Sequence, residues 1–179
     1  FNFLNQAANE IVFQANRSEI KAVKTNKGIT LSIPKDEPKE ITDLNTFSKA
    51  LNTEVLEVYK GIDDFMVVLE DQAAVANNNP SFNLIKSMDS RGLIITSKGK
   101  DVDFVSRWYG PQTGINEDPA TGSAHALLAT YWSKILNKPK MSARQLSKRV
   151  GHFECNVKED IIEITGEAKL YLRGTLHLN

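Results

Sequence analysis

Apolar and polar positions alternate over most of this chain, and that alternation predicts short strands rather than helices. Ile11, Val12 and Phe13 form the first apolar run, and residues 20–24 form the second. Asn26, Lys27 and Gly28 supply a turn, after which Ile29, Leu31 and Ile33 alternate on a return strand that Pro34 ends. Residues 34–40 are charged, with two prolines and no other apolar side chain, which marks a boundary or linker. Thr42 or Asp43 then opens a helix with Leu44, Phe47 and Leu51 on one face. Strands are predicted at 55–59 and 65–69, and the second is continuously apolar, as a strand covered on both faces would be. A polar patch at 77–80 precedes a short helix carrying Phe82, Ile85 and Met88. Further strands are predicted at 93–96, 102–108, 141–146, 152–157, 161–164 and 170–176.

One segment breaks this pattern. From 121 to 136, Ala124, Leu127, Leu128, Tyr131 and Ile135 follow helical spacing, while Ala126, Ala129, Trp132 and Leu136 lie off that stripe. A helix apolar almost all round is buried almost all round. Among so many strands, that requires a sheet curled around it, an α+β architecture.

Composition narrows the function classes. Lys+Arg 22 balances Asp+Glu 22, so the basic excess of a dedicated nucleic-acid binder is missing. No apolar run approaches the length of a membrane-spanning helix. The single cysteine, Cys155, excludes an internal disulfide framework and a multi-thiolate metal site, and fits a reducing compartment. It reads as a core residue. His125, His152 and His177 fall on different elements, so no metal site is expected. The basic stretch Arg144, Lys148 and Arg149 reads as a solvated edge strand. The chain opens on Phe1, Asn2, Phe3, Leu4 and Asn5, which resembles the tail of an apolar helix and suggests a natural start further upstream.

The entry to the long helix holds the candidate chemistry. It reads Gly114, Ile115, Asn116, Glu117, Asp118, Pro119, Ala120, Thr121, Gly122, Ser123, Ala124, His125. A helix start carries unpaired N–H groups and partial positive charge, Gly122 admits a ligand close to the backbone, and Thr121 and Ser123 add hydroxyls. If the helix is buried, this end opens into a cavity suited to a carboxylate. Plain capping accounts for the same residues, since Asp before Pro with Thr and Ser near the first turn is ordinary helix-start chemistry.

The run from Asp103 to Tyr109 together with the DPATGSAH string at 118–125 resembles the signature of the PhzF family, the phenazine-biosynthesis-like isomerases. Support extends to the stretch 91–96 and to Tyr131 and Trp132, and the similarity covers essentially the whole chain. The resemblance implies a diaminopimelate-epimerase-like fold, with two lobes that each wrap a mixed sheet around a central helix and an active site between the two helix starts. In that frame residues 1–36 are the remainder of a first lobe and 37–179 the second, with the last strand able to return to the first. The family's acid/base glutamate in a Ser-Glu-Thr-Ala-like string, and its Gly-His-Ala-Thr motif, do not occur here.

Carried over residue by residue, Asp118 matches the motif aspartate that faces substrate and relays or holds a proton. Ser123, with the backbone around Gly122, matches the cradle for the substrate carboxylate, and Thr121 is a weaker companion. Glu117 matches a motif position without a catalytic role, and His125 reads as a core histidine. The family implies a cytoplasmic homodimer that acts on a small carboxylate without metal or organic cofactor. Racemases of this fold with two opposed cysteines are disfavoured, because Asp118 stands at the relevant position. Two function classes remain: an isomerase that moves a proton on a small acid, incomplete as this fragment, and a non-catalytic module of the same fold that binds a small acid or serves association.

Overall fold

The structure is a computed structural model that describes residues 9–15, 18–172 and 174–175. In chain order its strands are β1 (Glu10–Gln14), β2 (Glu19–Thr25), β3 (Gly28–Pro34), β4 (Lys39–Ile41), β5 (Glu57–Lys60), β6 (Asp64–Val68), β7 (Gly92–Lys98), β8 (Phe104–Gly110), β9 (Ile115–Asp118), β10 (Lys140–Gln145), β11 (Gly151–Val157) and β12 (Ile161–Gly166). The helices are α1 (Leu44–Leu51), α2 (Gln72–Asn77), α3 (Phe82–Lys86) and α4 (His125–Ile135).

The strands form one mixed sheet in the order β1-β2-β3-β12-β11-β10-β8-β7-β6-β5-β4, with β9 attached to β8. Pairing is antiparallel except for β10 with β8 and β6 with β7. The sheet curls. Ile33 of β3 and Tyr59 of β5 pack against the same cluster around α4, although six strands separate them in the sheet order. Just past β3, the Asp36 carboxylate accepts the Ile62 N–H beside β5 at 2.9 and 3.0 Å, which pins the two ends of the curl together.

Alternation along the central strands explains their unbroken apolar runs. Met66, Val68, Ile94, Phe104 and Trp108 face α4, while Val67, Leu69, Leu93, Ile95, Val105 and Tyr109 face α1, α2 and α3. Every residue of α4 from His125 to Trp132 is buried. The polar tips of its two large aromatic residues are satisfied inside this packing. The Trp132 indole donates to Thr96 Oγ1 at 2.9 Å, and the Tyr131 hydroxyl donates to Glu57 at 2.7 Å. The Trp132 ring stacks on Phe104 with a 4° interplanar angle.

Several expectations change. The helix begins at His125 rather than Thr121, because Gly122, Ser123 and Ala124 form a tighter turn with His125 N–H bonded to the Gly122 carbonyl at 3.0 Å. Ile135 lies on the predicted apolar stripe yet is 56% exposed, because the last turn of α4 emerges from the sheet. Arg144 does not sit on an edge: β10 lies between β8 and β11, and Arg144 pairs opposite both Val105 and His152. The short elements α2, β4 and β9 carry too few residues to show a period. Residues 170–172, 174 and 175 form no regular strand, and Leu170, Tyr171 and Leu172 are exposed. Positions 173 and 176, the first five residues and His177 lie outside the described residues. No helix among the described residues is long and apolar enough to cross a membrane.

Burial of α4 sets a clear contrast between two of its apolar residues. Leu128→Ala, at a fully buried position, is expected to cost about 2–5 kcal/mol. Ile135→Ala is expected to cost less than about 1 kcal/mol. Urea unfolding of both variants checks the difference.

Candidate active site

The turn that leads into α4 is built by the end of β9 and held from behind by β10. Asp118 is the last residue of β9, opposite Trp108 in the register with β8. It therefore ends a strand and stands apart from the first turn of the helix. Successive side chains of β9 point to opposite sides. Glu117 accordingly turns away from Asp118 to a two-pronged ion pair with Arg107 at 2.7 and 2.8 Å. Arg107 also donates to the carbonyls of Val75, Ala76 and Asn78 at the end of α2, so Glu117 serves this anchor.

Gln145, almost wholly buried at the end of β10, clamps the loop. Its Nε2 donates to the Asp118 carbonyl at 2.6 Å and to Thr121 Oγ1 at 3.1 Å, while its Oε1 accepts the Thr121 N–H at 2.8 Å. The Thr121 hydroxyl in turn donates its proton to Asp118 Oδ2 at 2.7 Å. Ser147 adds a donor to the Pro119 carbonyl at 2.8 Å. Gly151 leaves room for the other side of the loop, since a Cβ there would lie 3.2 Å from that of Ala120.

The capping alternative is not the one built. The cap residue of α4 is Ala124, and no side chain accepts from the helix's first N–H groups. Among the described residues, the N–H groups of Gly122 and Ser123 make no hydrogen bond. A side chain at Gly122 would meet nothing within 4 Å. Packing therefore does not require glycine there, and the turn is partly exposed at Gly122. Ser123 is exposed, and its Oγ accepts from Arg91 at 2.9 Å. Pro119 and Ala120 of the turn line a broad concavity of about 1000 Å³ together with Gly151, His152 and Phe153 of β11.

Behind the turn, His125 is fully buried between Phe153 and Phe104, with ring centroids 4.0 and 6.0 Å away. Its Nδ1 lies 2.9 Å from the Thr121 carbonyl, so that nitrogen carries the proton and donates. Its Nε2 is left without a partner. Burial drives its pKa down to about 4, against a smaller upward pull from the Thr121 bond. It stays neutral as a packing group that ties the turn to the helix. Cys155 is a buried core residue, its thiol pushed up to about 12 by burial. Among the described residues no cluster of three His, Cys, Asp or Glu could hold a metal.

The structure adds Arg91, Asp64, Trp108 and Gln145 to the residues read from the sequence. Gln145 was readable as a polar residue in phase with Met141 and Ala143, whose faces are buried. Asp64 was readable as the second of two aspartates, after Asp63, directly ahead of a continuously apolar strand. Their partners are far off in sequence and gave no local signal.

The curled sheet around one helix is shared with the solved structure of a predicted epimerase of Pseudomonas aeruginosa. The TM-score is 0.71 at 15% identity, with 98% of this chain and 70% of the other covered, a likeness of fold alone. The sequence goes further: the family model described as phenazine biosynthesis-like protein matches residues 11–175, and the chain belongs to that family. A crystal structure of a PhzF-family protein from Enterococcus faecalis matches at TM-score 0.90 and 39% identity, covering 99% of this chain and 68% of the other. A curated relative from Pseudomonas aeruginosa, named an uncharacterized isomerase, is 37% identical over 175 residues, 98% of this chain and 67% of its own length. A mouse phenazine biosynthesis-like domain-containing protein is 32% identical over 196 residues, covering 98% of this chain and 68% of its own. The Pseudomonas aeruginosa relative is one of three bacterial relatives named as isomerases, which supports isomerisation at the level of the family.

Burial of His125 gives a pH dependence with a defined sign. Above its ordinary pKa of 6.5 neither folded nor unfolded chain carries the proton, and the group leaves stability unchanged. Between 6.5 and about 4 the unfolded chain takes the proton and the folded chain does not, so stability falls as pH falls, at up to about 1.4 kcal/mol per unit. From pH 7 to 5 the wild type is expected to lose about 2 kcal/mol more than His125→Phe. Urea unfolding of both at the two pH values checks this.

Proposed function

We propose that the turn Asp118–Ser123 is one side of the active site of an isomerase that moves a proton within a small carboxylate substrate. The observation that carries this reading is the pair of unpartnered N–H groups at Gly122 and Ser123, in a turn that is exposed at Ser123 and next to a carboxylate held by Thr121. A carboxylate on those N–H groups accepts charge-assisted hydrogen bonds at the positive end of α4. Asp118 is then placed to hold or relay the proton that leaves one carbon and returns to another. In this reading the partner acid/base is a glutamate of the protein outside this chain, and no metal or organic cofactor takes part. The relatives it matches extend beyond it by about a third of their length. Accordingly, the 179-residue chain by itself is expected to be inactive. The same reading places the whole protein in the cytoplasm as a homodimer.

The test follows deuterium from solvent into a cyclic dihydro-hydroxy acid by NMR. It uses the chain alone and the protein carrying the upstream residues its relatives have. The longer protein exchanges, and the chain alone does not. In the longer protein Asp118→Asn, which keeps the shape and loses the charge, lowers kcat by about 100-fold or more with KM little changed. Ser123→Ala raises KM by an amount equivalent to about 0.5–1.5 kcal/mol. Exchange at the wild-type rate by Asp118→Asn would refute the role of Asp118. Binding of the acid without exchange by the longer protein would favour a non-catalytic module.

A further inference from the structure

Asp64 is 4% exposed at the start of β6, and a carboxylate that deep requires compensation. Arg91 provides it. The β6–β7 register sets Gly92 opposite Asp64, and the Arg91 N–H bonds the Asp63 carbonyl at 2.7 Å, so the Arg91 side chain starts in one fixed place. Its Nε donates to Asp64 Oδ1 at 3.0 Å and one terminal nitrogen donates to Oδ2. The Trp108 indole donates to the same Oδ2 at 3.2 Å, with its ring 5.5 Å from the guanidinium carbon. Trp108 reaches that position because Gly92 and Gly110 lack side chains: a Cβ at either would fall within 2.5 Å of its ring. With two of its nitrogens fixed on Asp64, the planar guanidinium has one orientation. The remaining nitrogen meets Ser123 Oγ at 2.9 Å.

We propose that Arg91 is a positioning residue that holds the Ser123 oxygen as an acceptor and so turns the Ser123 proton away from itself and towards a ligand, so that the turn before α4 prefers a carboxylate to the corresponding amide. The inference rests on the function proposed above and deepens it. A guanidinium has no acceptor, so in this contact the Ser123 oxygen must accept. Its own proton points away from Arg91, and because Ser123 is exposed that proton is free to meet a ligand, while one lone pair of the oxygen remains. Charged donation into the oxygen also polarises the O–H and strengthens it as a donor. The ligand then faces three donors: two N–H groups and one O–H. A carboxylate accepts on both oxygens with charge assistance, whereas a carboxamide has one acceptor oxygen and sets its NH2 against N–H groups that cannot accept. Arg91's charge is already matched by Asp64, so its part is direction rather than bulk attraction.

Titration of the 179-residue chain with benzoate and with benzamide, read at the amide resonances of Gly122 and Ser123, tests this. Benzoate is expected to shift both resonances, with benzamide at least about tenfold weaker. Ser123→Ala and Arg91→Met each weaken benzoate by about threefold to tenfold. The double variant is no weaker than either single one, because both remove the same oriented hydroxyl. Arg91→Lys keeps a charge beside Asp64 and hence the melting temperature, yet binds as weakly as Arg91→Met, since a single nitrogen cannot stand at all three positions that the guanidinium nitrogens take against Asp64 and Ser123. Wild-type affinity in Arg91→Lys, or effects of Arg91→Met and Ser123→Ala that multiply, would overturn the inference and leave the carboxylate site standing. Resonances of Gly122 and Ser123 unmoved by benzoate in the wild type would overturn the carboxylate site itself, and the inference with it.

Discussion

Everything in this structure is arranged around the requirement that two turns of α4 lose contact with water on every side. Eight consecutive buried residues, His125 to Trp132, cannot be covered by a flat sheet, which offers one face to one side of a helix. The sheet has to curl, and the strands that do so draw apolar side chains from β3, β5, β6, β7, β8, β10, β11 and β12 onto one cluster. Burial also fixes the axial position of the helix. Trp132 and Tyr131 are tied to Thr96 and Glu57, so α4 cannot slide to adjust its own start.

That rigidity produces the site. The turn ahead of α4 is the place where the buried helix meets the surface, and its orphan N–H groups emerge there. Two backing networks hold it from different sides. Gln145 and Ser147 fix the backbone of the loop from β10 and the segment after it. Asp64 and Trp108 hold Arg91, which fixes the Ser123 hydroxyl from β6, β7 and β8. The groups proposed to face a ligand therefore come from one short stretch of chain, while the groups that orient them come from strands distant in sequence. Such an arrangement holds the turn in place without the usual capping side chain.

Buried polar groups divide in the same way. The His125 imidazole and the Cys155 thiol are kept neutral by burial and contribute packing. The Asp64 carboxylate is the costly one, and its compensation by Arg91 and Trp108 uses three elements and two glycines. Deep charge compensated so specifically near a candidate site is better explained by orientation than by stability, since an apolar substitute would pack at lower cost.

The sequence by itself determined the strand-rich character, the all-round apolar helix that demands a curled sheet, the two-sided burial of residues 65–69 and the DPATGSAH turn with Asp118, Thr121, Gly122 and Ser123. These follow from residue order alone, because periodicity and local motifs are properties of neighbours in sequence. Only the tertiary structure decided that the helix starts at His125, that Asp118 ends a strand opposite Trp108, that Arg144 sits inside the sheet and that Ile135 emerges into solvent. It alone brought Arg91 to Ser123 and Gln145 to Thr121, across 32 and 24 residues. The physical reason is range. A helix boundary is set by what packs against its end, and a hydrogen bond between strands is set by register, and neither leaves a mark in the local order of residues.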